Sequence, residues 1–170
     1  STIKPSVVEP SVVAPSAGGK PVRTGPGIYT FSYEGAVGII QVPANIMDPR
    51  LERYGDYRRL VGAKPITYLI AQVTNRSDDI ITMSEVVVVT ANGQQVEAAP
   101  ISDYLEDWAG EADVENFPQG LRLANDSRFF LHPGAKGTAF LGAKEPITSV
   151  ARVFVYPVGP FSRVEAHRTR

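Results

Sequence analysis

The sequence predicts an all-β fold: a two-sheet β-sandwich with two short helical insertions and a Pro-rich N-terminal tether. Three observations carry this expectation. Residues 67–100, TYLIAQVTNRSDDIITMSEVVVVTANGQQVEAAP, alternate apolar and polar side chains and are rich in β-branched residues, the pattern of half-buried strands. Asn92-Gly93 lies between two such runs, where a two-residue hairpin turn is expected. Further short strand-like runs recur along the chain, separated by turn dipeptides such as Glu34-Gly35 and Pro133-Gly134.

Residues 1–27 form a separate zone with prolines at 5, 10, 15, 21 and 26 and Val-Val pairs at 7–8 and 12–13. Proline biases its neighbours towards extended backbone, so this zone reads as a semi-rigid tether; the alternative is that the valine pairs dock into a groove. The sandwich is expected over 28–158. It opens with 28–42, where Tyr29, Phe31 and Tyr33 alternate with polar residues and Glu34-Gly35 turns the chain. Residues 46–62 are the first helical insertion. Asp48 is placed to cap it, Pro49 suits the first helical position, and Leu51, Tyr54, Arg58 and Val61 fall at helical spacing. Its arginines 50, 53, 58 and 59 read as a solvated face or, alternatively, as a patch for an anion.

In the next strand Leu69, Ala71 and Val73 share one face, and Tyr68, Ile70 and Gln72 the other. Residues 86–89 are four consecutive valines, expected to be buried on both faces. Leu69, Ala71, Val73, Val87, Val89, Phe140, Val153 and Val155 are the expected core. Residues 101–117 are the second insertion, with Ser102 as cap, acids in the first turn, and Tyr104, Leu105 and Trp108 on one face. Strands follow around 128–131, 137–141 and 150–156, and residues 159–170 are expected to be an exposed C-terminal tail.

Composition excludes several functions. With 17 basic and 18 acidic residues there is no concentrated basic footprint for nucleic acid. No apolar run approaches the roughly 20 residues of a membrane span. Cysteine is absent, which removes disulfides, thiolate ligands and cysteine nucleophiles. The chain opens on Ser1 rather than Met, which implies processing or an engineered start.

The sequence carries no recognisable catalytic or cofactor motif. His132 and His167 are not at the i, i+4 spacing of a zinc site, and there is no G-x-S-x-G elbow to suggest a serine triad. The glycines at 18 and 19 lack the strand–helix context of a phosphate loop. Six acids between 103 and 115 read as a solvated surface. Calcium is the alternative, but the D-x-[DN]-x-[DN]-G loop is missing. Asn75-Arg-Ser and Asn125-Asp-Ser match the glycosylation triplet and read as turn residues. The chain is therefore expected to be no enzyme, with no metal and no cofactor.

Three segments carry a resemblance: 68–78, YLIAQVTNRSD; the following strand pair closed by Ala91-Asn-Gly-Gln94; and 131–140, LHPGAKGTAF. From residue 28 onward the chain resembles the immunoglobulin-like domains of unknown function in bacterial, mostly Gram-positive, surface lipoproteins. That resemblance implies an exported, extracytoplasmic domain at the cell surface or in a periplasm-like space. It would be tethered through a lipid anchor not present in this sequence and would bind or scaffold another envelope protein. The rival reading is a structural subunit of a larger assembly, an envelope machine or virion, whose N-terminal tail threads onto a neighbour. The two insertions carry opposite charge. Trp108 reads as a hydrophobic plug over one end of the sandwich or, alternatively, as an anchor for a partner. The insertions either pair with each other or present Tyr54, Tyr57, Tyr104 and Trp108 to a partner, as aromatic anchors with charged rims do.

Overall fold

The expected sandwich is overturned: the sheet closes on itself as a barrel. The computed structural model describes residues 24–170, so most of the expected tether lies outside the described residues. The strands are β1 (Gly27–Tyr33), β2 (Ala36–Val42), β3 (Thr67–Asn75), β4 (Glu85–Val89), β5 (Gln95–Pro100), β6 (Lys136–Ala143), β7 (Arg152–Tyr156) and β8 (Val164–Arg168). Their order around the barrel is β1-β2-β3-β6-β5-β4-β7-β8, every neighbour antiparallel. Closure comes from β1 against β8, where Tyr29 faces Arg168 and Thr30 faces His167. The expected C-terminal tail therefore supplies the strand that shuts the barrel. Alternation of side chains is the same in a sandwich and a barrel, since both bury one face of each strand; only the β1–β8 pairing separates them.

The barrel interior is filled by side chains. Tyr29, Phe31, Ile40, Leu69, Leu141, Val86, Val88 and Val153 supply bulk, and alanines 71, 98, 139, 143 and 166 admit it. Small residues face each other across the ladders, as at Ala71–Ala139 and Ala98–Ala143, which lets an eight-stranded barrel taper without voids. Leu69, Ala71, Val73, Val153 and Val155 point inward as expected. β4 is buried on both faces over Val86–Val88, as expected, but the valines that face the barrel interior are not those of the expected core. Val86 and Val88 face the interior; Val87 is buried on the outside, paired with Phe154, and Val89 is only half-buried. Four like residues in a row carry no alternation from which to choose a face. Phe140 also lies on the outer face.

A layer of three helices covers one side of the barrel: α1 (Glu52–Val61), preceded by a 3-10 turn at Pro49–Leu51, α2 (Ile101–Glu111) and α3 (Phe117–Ser127). Asp48 caps the turn as expected, its carboxylate accepting from the Arg50 N–H, with Pro49 at the first position. Ser102 is not a cap but sits buried within α2, which starts directly after Pro100. α3 ends just before the strand expected around 128–131, of which only Leu131 is realised, as a bridge to Ile81. Gly120 and Ala124, four apart on one face, are its buried residues. A Cβ at Gly120 would collide with the Tyr57 hydroxyl and the Ala109 methyl, so the glycine is what allows this approach. Beneath the helices a second core forms on the outer face of β3 and β6, built from Leu51, Tyr54, Tyr57, Tyr68, Ile70, Ile101, Leu105 and Trp108, with Phe140 packed against it.

Candidate functional site

The four aromatics expected to meet a partner are placed unequally. Tyr54 and Tyr57 are fully buried in the helix layer. The Tyr57 hydroxyl donates to the Asn116 carbonyl at 2.9 Å, and that of Tyr54 accepts from Arg53 at 2.7 Å. Trp108 is 6 % exposed. These three hold the helices onto the barrel: Tyr54 and Tyr57 are corrected from anchors to packing residues, and Trp108 packs as a plug rather than an anchor. Accordingly Trp108→Ala is expected to cost about 3–5 kcal/mol, the usual range for truncating a buried large aromatic, read as a lower melting temperature.

Tyr104 is different. It is half-buried, its ring 6.1 Å from that of Trp108, and it lies where two surface clefts meet. One cleft, about 640 Å³, runs along β4 and β5 past Glu85, Gln95, Glu97 and Glu145 to Pro160. The other, about 680 Å³, runs from Lys64 and Ile66 past Asp107 to Glu111. Tyr104 and Lys144 line both, so the two clefts adjoin as a groove on the outside of the barrel. Gly142 of β6 lies beneath Tyr104 and Ile66: a Cβ there would stand 3.1 Å from the Tyr104 ring and 2.7 Å from Ile66, so a larger residue would displace both.

Charge in the groove is one-sided. Glu85, Glu97, Glu145, Asp107 and Glu111 line it against Lys64 and Lys144. Burial raises the Glu85 carboxyl above its ordinary range, and the neighbouring Glu97 carboxylate adds to the rise. Glu97 is held by Gln95, whose amide donates to it at 3.1 Å. Burial also raises the Tyr104 phenol, helped by Glu145, Asp103 and Asp107.

At the Pro160 end the β7–β8 turn presents Phe161, 99 % exposed. The turn is braced by Ser162, whose hydroxyl accepts from the Val158 and Gly159 N–H groups and donates to the Gly159 carbonyl at 2.7 Å. The sequence reading missed Phe161 because it lay in the expected tail; the Gly159-Pro160 dipeptide before it was the available turn signal. Glu85 and Glu97 carry no local signal, because two acids twelve residues apart share a groove only when β4 and β5 pair.

Among the described residues no three His, Asp or Glu side chains come together to hold a metal ion. No helix of the described chain is long and apolar enough to cross a membrane. A comparison with known protein families, with curated proteins and with solved structures finds no match to this chain. The class that fold and groove define is a closed eight-stranded antiparallel barrel with a three-helix flank and an open, acid-lined outer groove.

Proposed function

We propose that this protein is a non-enzymatic binding module of the cell envelope that takes a basic segment of another envelope protein in the groove around Tyr104. The observation that carries the reading is the pairing of five carboxylates with a half-buried aromatic along two adjoining clefts, one of which ends beside an exposed Phe161. Aromatic anchors supply most binding energy, and a charged rim selects the partner and speeds its approach. The envelope half of the proposal rests on the sequence: a cysteine-free domain carried behind a Pro-rich segment suits a module held at a distance from an anchor.

Glu85 offers a test with two readouts. A carboxyl whose folded pKa is raised contributes stability below its unfolded pKa and loses that contribution as pH rises through the folded value. At pH 7 the ionised Glu85 therefore opposes folding, and a bound cation would relieve it. Glu85→Gln is expected to raise the melting temperature slightly at pH 7 and leave it unchanged at pH 3. In cells, a photo-crosslinking residue at position 104 is expected to capture an envelope protein through a Lys- or Arg-rich stretch, and Glu85→Gln to weaken that capture. A cross-link to a cytoplasmic protein, or one indifferent to Glu85→Gln, would sink the proposal; capture of a second copy of this chain would favour the assembly subunit instead.

A further inference from the structure

A second site lies at the other end of the helix layer and does not depend on the groove. We propose that the cleft at the start of α1 binds a small amphipathic carboxylate, an apolar body ending in a single negative charge. The cleft has a volume of about 430 Å³ and is lined by Ile46, Met47, Leu51, Gly55, Arg59 and Tyr68, among others. Its distinctive feature is Tyr68. The residue is 3 % exposed, and its hydroxyl is buried with no hydrogen-bond partner in the fold. Every other fully buried tyrosine hydroxyl is partnered: Tyr29 donates to the Gly25 carbonyl, Tyr54 is bonded to Arg53 and Tyr57 to Asn116. A buried hydroxyl without a partner opposes folding where phenylalanine would serve as well, so a native one calls for an explanation.

The surroundings indicate what the hydroxyl would bind. Arg58 and Arg59 are the cations whose charge reaches the Tyr68 phenol. Arg58 is committed to the Ala63 carbonyl at 2.7 Å. Arg59 gives one nitrogen to Asp56 at 2.6 Å. Its other terminal nitrogen lies over Gly55, 3.3 Å from where a Cβ would stand. Tyr68 and Arg59 both line the cleft, and a phenol O–H and a guanidinium N–H are the donors a carboxylate accepts from. Asp48 does not oppose an anion strongly. Its carboxylate is taken by the Arg50 backbone and guanidinium, which hold its pKa at about 2. Glu52, exposed at the rim, does oppose one, which favours a single charge over a phosphate. The apolar body has its own surface, since Ile46 is 65 % and Met47 80 % exposed above Leu51.

A fatty acid and a peptide C-terminus ending in an apolar residue share this chemistry, and the probes separate them. The intact protein is titrated by NMR with octanoate, with octanol, with a tripeptide ending in a free C-terminal leucine, and with its C-terminal amide. Octanoate or the free tripeptide is expected to shift residues 46–59 and 68 saturably, with octanol and the amide at least about tenfold weaker. Octanoate alone would identify a fatty acid, and the tripeptide alone a chain end. Tyr68→Phe and Arg59→Gln are each expected to weaken the carboxylate about tenfold or more. Tyr68→Phe should melt at the same temperature or higher, since it breaks no bond within the fold. The proposal is overturned if neither carboxylate binds, if octanol binds as well as octanoate, or if Tyr68→Phe keeps full affinity. A lower melting temperature for Tyr68→Phe would also overturn it, by showing that the hydroxyl already has a partner, such as a structural water.

Discussion

Removal of residues 164–170 is expected to abolish cooperative folding. β8 joins β7 through Val153–Ala166, Phe154–Glu165 and Val155–Val164, and joins β1 through Tyr29 and Thr30. Without it two strand edges lose their partners, and the interior loses Ala166, which is 2 % exposed. The Arg152–Glu165 pair, bidentate at 2.7 and 3.0 Å, goes as well, though an exposed, solvent-screened pair of this kind adds little. Unpaired edges on an open barrel also invite aggregation. A whole domain is stable by only about 5–15 kcal/mol, and the loss of one strand in eight from a closed sheet is of that order. The check is a thermal melt followed by circular dichroism, with amide dispersion in NMR. A two-state melt within a few degrees of the intact protein would show that β8 is dispensable and the closure incidental.

Asn75→Ala is expected to be the most damaging single polar substitution. Asn75 ends β3 with no exposed surface. Its side-chain amide donates to the carbonyls of Asp79 and Leu131 at 2.7 and 2.8 Å, and its oxygen accepts from the Ser77 backbone and hydroxyl at 2.9 and 2.6 Å. Its backbone carbonyl and N–H bond Gly134 and Ala135. One residue thus ties the 76–79 turn to the segment that enters β6. Removing the amide leaves the buried Leu131 carbonyl without that donor, and four lost bonds at about 1 kcal/mol each give about 3–5 kcal/mol. For a domain of this size that is a fall in melting temperature of about 10 °C or more. Ser77→Ala, which leaves both amide donors in place, should cost well under half as much. Equal effects would mean that the turn, not the buried amide, is the keystone. The same geometry answers the two glycosylation triplets differently. Asn75 has both amide hydrogens engaged inside the fold, whereas Asn125 stands exposed on α3 rather than in the expected turn.

Local pattern determined a good part of this molecule. The strands β1, β3 and β7 and their inward faces follow from period-two alternation, because a pleat leaves no other way to bury Leu69, Ala71 and Val73 together. The Glu34-Gly35 hairpin follows from the need for positive φ, observed at 45° and 95°. The Asp48 cap and Pro49 start follow from the unsatisfied N–H groups of any helix N-terminus. Three things were decided only in the folded chain. Whether the sheet closes depends on β1 meeting β8, a contact between the two ends of the described chain that no local pattern encodes. Which face of a four-valine run turns inward depends on its neighbours' register, since Val86 to Val89 carry no alternation of their own. And whether an aromatic is an anchor or a packing residue depends on what lies over it. Tyr54, Tyr57, Tyr104 and Trp108 look alike in the sequence, but the helix layer buries three of them, Trp108 at the wall of the acid-lined groove, and leaves only Tyr104 half-buried in it. Burial is a property of two surfaces at once, and a sequence read element by element shows only one of them.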